Sequence, residues 1–112
     1  MEMNSIGEYI DQDEALSRIG GNMNLYKKLL GRFADGSAYD ELERAIHGSN
    51  MEEAAHQAHS LKGVSANLSL TKIRSLSTQL EQLLKDKDDY SSCLVELKIA
   101  YYKTVDIINE IR

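Results

Sequence analysis

The sequence predicts an all-α protein, an antiparallel up-down four-helix bundle with extra helical structure at its N-terminus. Three observations predict it. Proline and tryptophan are absent, while leucine, alanine, glutamate and lysine recur in most segments, a usage that favours helix over sheet. Apolar residues return at three- and four-residue spacings. The breaks between these patterns, Gly20-Gly21-Asn22, Gly36-Ser37, Gly48-Ser49-Asn50 and the acidic run Asp86 to Asp89, are short, and helices joined by short loops pack as antiparallel neighbours.

The first helical pattern lies around Ile10 to Ile19, where Ile10, Ala15, Leu16 and Ile19 offer a small apolar face suited to an N-terminal lid. From about Asn24 to Asp35, Leu25, Tyr26, Leu29, Leu30 and Phe33 build one apolar stripe. A third pattern, from about Ser37 to His47, carries Leu42, Ala45 and Ile46, and Gly36 either separates it from the second or only kinks the pair. Asn50-Met51-Glu52-Glu53 has the form of a capping box opening a helix through about Asn67. Ser69 is then placed to cap the next helix, whose face of Leu70, Ile73, Leu76, Leu80, Leu83 and Leu84 lasts until Lys85-Asp86-Lys87-Asp88-Asp89 breaks the pattern. The last helix, about Tyr90 to Ile111, repeats the rhythm with Leu94, Leu97, Tyr101, Val105, Ile108 and Ile111.

At 112 residues the chain can bury one core, so residues 1–112 are expected to form a single domain. A net charge of −5 with no basic block argues against nucleic acid or an anionic membrane as a partner. A lone cysteine, Cys93, leaves no intramolecular disulfide and no multi-cysteine metal site; it reads as a small apolar residue. The polar, acidic start lacks the features of a secretory signal and no apolar run reaches membrane-spanning length, so a cytoplasmic monomer is expected.

The chemistry concentrates in Ala58-His59-Ser60-Leu61-Lys62-Gly63. On a helical wheel Ala54, Ala58, Leu61, Ser65 and Leu68 share one side, and His59 lies roughly 140° from their centre, facing water. Around it stand Ala55 at i−4, Gly63 at i+4 and Ala66 at i+7, with Lys62 at i+3. An exposed helix face is ordinarily filled with long polar side chains, and a mid-helix glycine costs roughly 1 kcal/mol relative to alanine. This clearing predicts that something must approach the ring closely. Reversible phosphoryl capture suits the arrangement. An imidazole of pKa about 6.5 keeps a lone pair near neutral pH, and phosphoryl transfer depends mainly on access and charge neutralisation, which Lys62 can supply. For Gly63 the competing explanation is close helix packing.

At these residues the sequence resembles a histidine-containing phosphotransfer (HPt) domain, through His59-Ser60-Leu61-Lys62-Gly63 and the following Val64-Ser65-Ala66-Asn67-Leu68. The likeness extends upstream through Ile10-Asp11, Ala15 to Asn22 and Leu25 to Leu30, and downstream through Leu76 and Gln79-Leu80-Glu81, covering roughly residues 8 to 90. It departs at Ser69, where such domains commonly have glycine at the helix end. The resemblance implies His59 as phosphoacceptor, Lys62 as stabiliser of the phosphoryl group and Gly63 as room for a docking receiver. Ala55 and Ala66 join the docking patch, and Glu81 stands where the family often places a polar residue near the histidine, against the plainer expectation of a solvated charge. It further implies response-regulator receiver domains and a hybrid histidine kinase as partners. No cofactor is expected on this chain, the magnesium residing on the receiver.

Other functions fit less well. Glu53-Ala54-Ala55-His56 is a Glu-x-x-His, but a di-metal bundle needs two copies and the sequence holds one. Autonomous kinase activity is not expected, since no glycine-rich phosphate loop is present. A module that docks a receiver without accepting phosphate is the remaining alternative. His47 and His56 read as surface polar residues, and Tyr101-Tyr102 as one ring inward and one at the rim.

Overall fold

A computed structural model describes residues 7–112. The boundaries expected for the domain take in residues 1–6, which lie outside the described residues. After a helical stretch at 7–9, six helices follow: α1 (Gln12–Arg18), α2 (Met23–Asp35), α3 (Ala38–His47), α4 (Met51–Asn67), α5 (Thr71–Asp86) and α6 (Ser91–Ile111). No strand occurs among the described residues.

The caps explain where the helices begin. Asp11, Asn22 and Asn50 each accept a hydrogen bond from the backbone N–H three residues on, at 3.0, 3.0 and 3.1 Å, satisfying donors that a helix start leaves free. The capping box at Asn50 is only half made, because the Glu53 carboxylate accepts from the Gln57 side-chain amide at 2.6 Å instead of turning back. Gly36, in extended backbone, ends α2, so α2 and α3 are separate helices. Three short turns follow, each with one non-glycine residue in the left-handed region: Ser49, Ser69 and Lys87. The last of them places the end of α5 at Asp86, so the charged run expected to break the pattern from Lys85 onward instead gives α5 its final residues.

Packing follows the connectivity. The most extensive interface joins α4 and α5; α3 packs on α4, α5 on α6, and α6 returns to α2. Helices α2 to α6 form the four-helix bundle, Phe33 near the end of α2 and Tyr39 at the start of α3 both meeting Tyr101 of α6, and α1 is the N-terminal addition. The core holds Leu30, Leu42, Leu61, Ile73, Leu80, Leu97 and Ile108, all essentially without solvent contact. Leu25 departs from the expected stripe and is 39% exposed, because its neighbour Tyr26 takes the inward position. Tyr101 is buried and Tyr102 exposed, the rings meeting edge to face 5.5 Å apart. Cys93 is buried.

The α4–α5 turn is tied to the N-terminus. Ser69 does not cap α5: its side chain is buried and its hydroxyl donates to Glu14 Oε1 at 2.6 Å, while its backbone takes the left-handed conformation that glycine adopts most easily. Asp11 N–H donates to the Ser69 carbonyl, the Arg18 guanidinium donates to the Ala66 carbonyl, and the buried Tyr26 hydroxyl donates to the Leu68 carbonyl at 2.9 Å. Burial and the charge of Asp11 push the Tyr26 phenol up to about 12. Helix α1 is therefore a clasp on this turn more than a lid. No helix among the described residues is long and apolar enough to cross a membrane.

Candidate functional site

Helix α4 turns Ala54, Ala58, Leu61 and Ser65 into the core, and the same rotation sends His59 outward with 63% of its side chain exposed. The ring is nonetheless held. Its Nδ1 lies 3.0 Å from Oε2 of Glu81 on α5. Glu81 is 5% exposed, so a buried carboxylate anchors an exposed imidazole.

That carboxylate is fully engaged. Lys62 Nζ lies 2.8 Å from Oε1, and Lys85 Nζ 2.8 Å from Oε2. Burial alone would raise the Glu81 carboxyl, but the hydrogen bonds from Lys62, Lys85 and His59 outweigh it and bring it down to about 2. The group is thus anionic at any physiological pH. An ionised carboxylate only accepts hydrogen bonds, so the proton of a neutral His59 ring sits on Nδ1 and the lone pair on Nε2. Among the described residues Nε2 has no hydrogen-bond partner.

The surroundings of the ring are bare on two sides. A Cβ built on Gly63 would meet nothing within 4 Å, which removes close helix packing as the reason for that glycine. On the other side, a cleft of about 730 Å³ opens beside His59, lined by Met51, Ala55, His56, Leu84, Lys85 and Tyr90 among others. Charged side chains, Glu52, Lys87 and Asp88, line it as well. Ala66 is half-buried, and its carbonyl is occupied by Arg18. Val64, next to Gly63, leaves 43% of its surface in solvent but points away from the ring, towards a second groove that it lines with Ile19, Leu29 and Phe33.

Structure thus brings His59, Lys62 and Glu81 together, with Gly63 and Ala55 flanking the ring and Ala66 farther along α4. Glu81 is no solvated charge but the centre of the cluster. Lys85 was missed, although Glu81 and Lys85 at i and i+4 are a standard helical ion-pair spacing; its place in a charged run concealed it. His56 is exposed and lines the cleft, and His47 is exposed elsewhere. Glu53 is bound to Gln57, and no three His, Cys, Asp or Glu side chains converge as a metal site among the described residues.

No curated protein and no solved structure matches the chain. The family model of the Hpt domain matches residues 36–104, more than half of the sequence and a span that contains α3, α4, α5 and the whole His59 cluster. Family and fold agree, and the protein belongs to the Hpt-domain family, phosphocarriers of two-component phosphorelays that lack kinase activity of their own.

Proposed function

We propose that His59 takes a phosphoryl group on Nε2 from the aspartyl phosphate of one receiver domain and hands it to another, or returns it. A hybrid histidine kinase stands upstream, and the chain acts as a cytoplasmic monomer whose residues 1–112 form one domain.

The observation that carries this reading is the Nδ1 contact to a buried, anionic Glu81 beneath an otherwise exposed ring. With the proton fixed on Nδ1, the Nε2 lone pair forms the N–P bond as the aspartyl O–P bond breaks, its electrons leaving on the partner's carboxylate. The ring becomes formally cationic and Glu81 supplies the countercharge. When the phosphoryl group leaves, the N–P pair returns to Nε2 and the ring is neutral again. No proton moves in either direction, which suits a carrier that must work reversibly.

Lys62, one turn from His59, brings an ammonium group to the phosphoryl oxygens, where charge neutralisation supplies much of the catalysis. Gly63 and Ala55 leave space for in-line approach. The receiver contributes the acidic pocket and magnesium, so the reaction asks no metal of this chain.

The test is transfer of label from a phosphorylated receiver to the wild-type chain and to His59→Gln. Label on the former and none on the latter is expected; equal labelling contradicts the assignment. A Lys62→Ala variant with an unchanged transfer rate would remove the role given to Lys62.

A further inference from the structure

We infer that Lys85 is a positioning residue of this site, holding the Glu81 carboxylate when Lys62 leaves it for the phosphoryl group. The inference rests on the phosphocarrier reading and concerns the change in the cluster between its empty and loaded states.

In the empty state the buried carboxylate has three partners: Lys62 on Oε1, and Lys85 and the His59 ring on Oε2. A phosphoryl group on Nε2 adds two or so negative charges a few ångströms away, and Lys62, on the same helix as His59, is the cation placed to answer it. An ammonium is a single compact charge with three donors; the closer it draws to the phosphoryl oxygens, the less it compensates Glu81. Until the N–P bond has formed and the ring has become cationic, a buried carboxylate that loses its lysine carries a heavy desolvation cost, which would hold Lys62 back and slow loading. Lys85 lifts that constraint. It belongs to the same helix as Glu81, at i+4, so it stays with the carboxylate whatever Lys62 does. It also binds the same oxygen as Nδ1–H, so the ring's anchor keeps its charge balance in both states.

The plain alternative is that Glu81 and Lys85 are one more helical ion pair near a helix C-terminus. Such pairs are usually exposed and weak, whereas here the carboxylate is buried and shared with the reactive ring. The two explanations differ in coupling. As a mere helix pair, Lys85 acts independently of Lys62. As the residue that frees Lys62, it makes the effect of removing Lys62 depend on its presence.

A double-mutant cycle decides. The donor is phosphoramidate, which in its N-protonated form transfers its phosphoryl group as the P–N bond breaks and ammonia leaves, so partner docking does not enter. The rate of label uptake at His59, taken as the excess over His59→Gln, is measured for wild type, Lys62→Ala, Lys85→Gln and the double variant. Lys62→Ala is expected to slow loading on the order of tenfold, the loss of one charge-assisted hydrogen bond. In the Lys85→Gln background, where Lys62 is retained by Glu81, the same change is expected to slow it by less than about threefold. Lys85→Arg should restore most of the loss seen in Lys85→Gln, since the cation is kept. Lys85 is 58% exposed, so these variants should fold, as far-UV circular dichroism will show. Additive effects within about twofold, wild-type loading by Lys85→Gln, or failure of Lys85→Arg to rescue overturns the inference and leaves the His59 assignment standing. Label uptake by His59→Gln equal to wild type overturns both.

Discussion

Two carboxylates in this bundle each gather three partners, to opposite effect. Glu14, at the α4–α5 turn, receives the Ser69 hydroxyl and the guanidiniums of Arg18 and Arg74 at 2.6, 3.2 and 3.7 Å. Glu81, between α4 and α5, receives His59, Lys62 and Lys85 at 2.8 to 3.0 Å. Yet Glu14 keeps 39% of its side chain in solvent and Glu81 only 6%. At the turn, the carboxylate is outside and its key partner, Ser69, is buried, so the network closes the fold. Around His59 the carboxylate is inside and the partner is exposed, so the network fixes one ring nitrogen and presents the other. What separates scaffold from site is the direction in which the cluster faces, since the chemical groups are of the same kind.

The largest effects should come from the inward carboxylate. Glu81→Gln keeps the shape but loses the charge that stabilises the loaded ring, and phosphotransfer should fall by about ten- to a hundredfold, the equivalent of one charge-assisted hydrogen bond. The same variant should alter acid unfolding. Glu81 is lowered from its ordinary 4.5 to about 2, so the stability it contributes is fully present above pH 4.5 and lost as pH falls toward about 2. An acid-unfolding profile of Glu81→Gln identical to wild type would show the carboxylate to be less tightly held than its contacts imply.

Smaller and purely structural effects belong to the turn. Tyr26→Phe leaves the Leu68 carbonyl without its buried donor and should cost about 1–2 kcal/mol in urea unfolding, with no change in transfer. Ser69 separates two contributions. Ser69→Ala keeps the strained left-handed backbone and loses the bond to Glu14, and should cost about 1 kcal/mol, whereas in Ser69→Gly relief of about 1 kcal/mol of strain offsets that loss. A glycine variant as unstable as the alanine variant would show that the turn is not strained.

Smallest of all is Gly63. A methyl group there meets open space, so Gly63→Ala should raise stability by about 0.5–1 kcal/mol while slowing transfer from a receiver. Gain of stability with undiminished transfer would remove Gly63 from the docking surface.

How much of this was legible in the sequence depends on how far apart in the chain the interacting residues lie. Within α4, periodicity alone placed Ala54, Ala58 and Leu61 inside and His59 outside, because a helix fixes those angles locally. The association of Glu81 with His59 spans 22 residues and depends on how α5 is rotated against α4; only the family resemblance pointed toward it, and burial could not be foreseen. Lys85 was hidden by a helix end expected two residues early, before Lys85 instead of after Asp86, where neighbouring charges mimicked a loop. Ser69 was misread as a cap because serine next to a helix start usually is one, whereas here Glu14, 55 residues away, captures its hydroxyl. Leu25 illustrates the limit of a stripe drawn by spacing, since five apolar residues in that segment exceed what one face buries.

The most direct measurement is nuclear magnetic resonance of the loaded chain, with ¹⁵N in the histidine rings and ³¹P in the phosphoryl group. Phosphorus coupled to Nε2 of His59, with a proton retained on Nδ1, is the predicted result. Phosphorus on Nδ1, or on another histidine, would contradict the account, because Glu81 could not then be the group that orients the nucleophile.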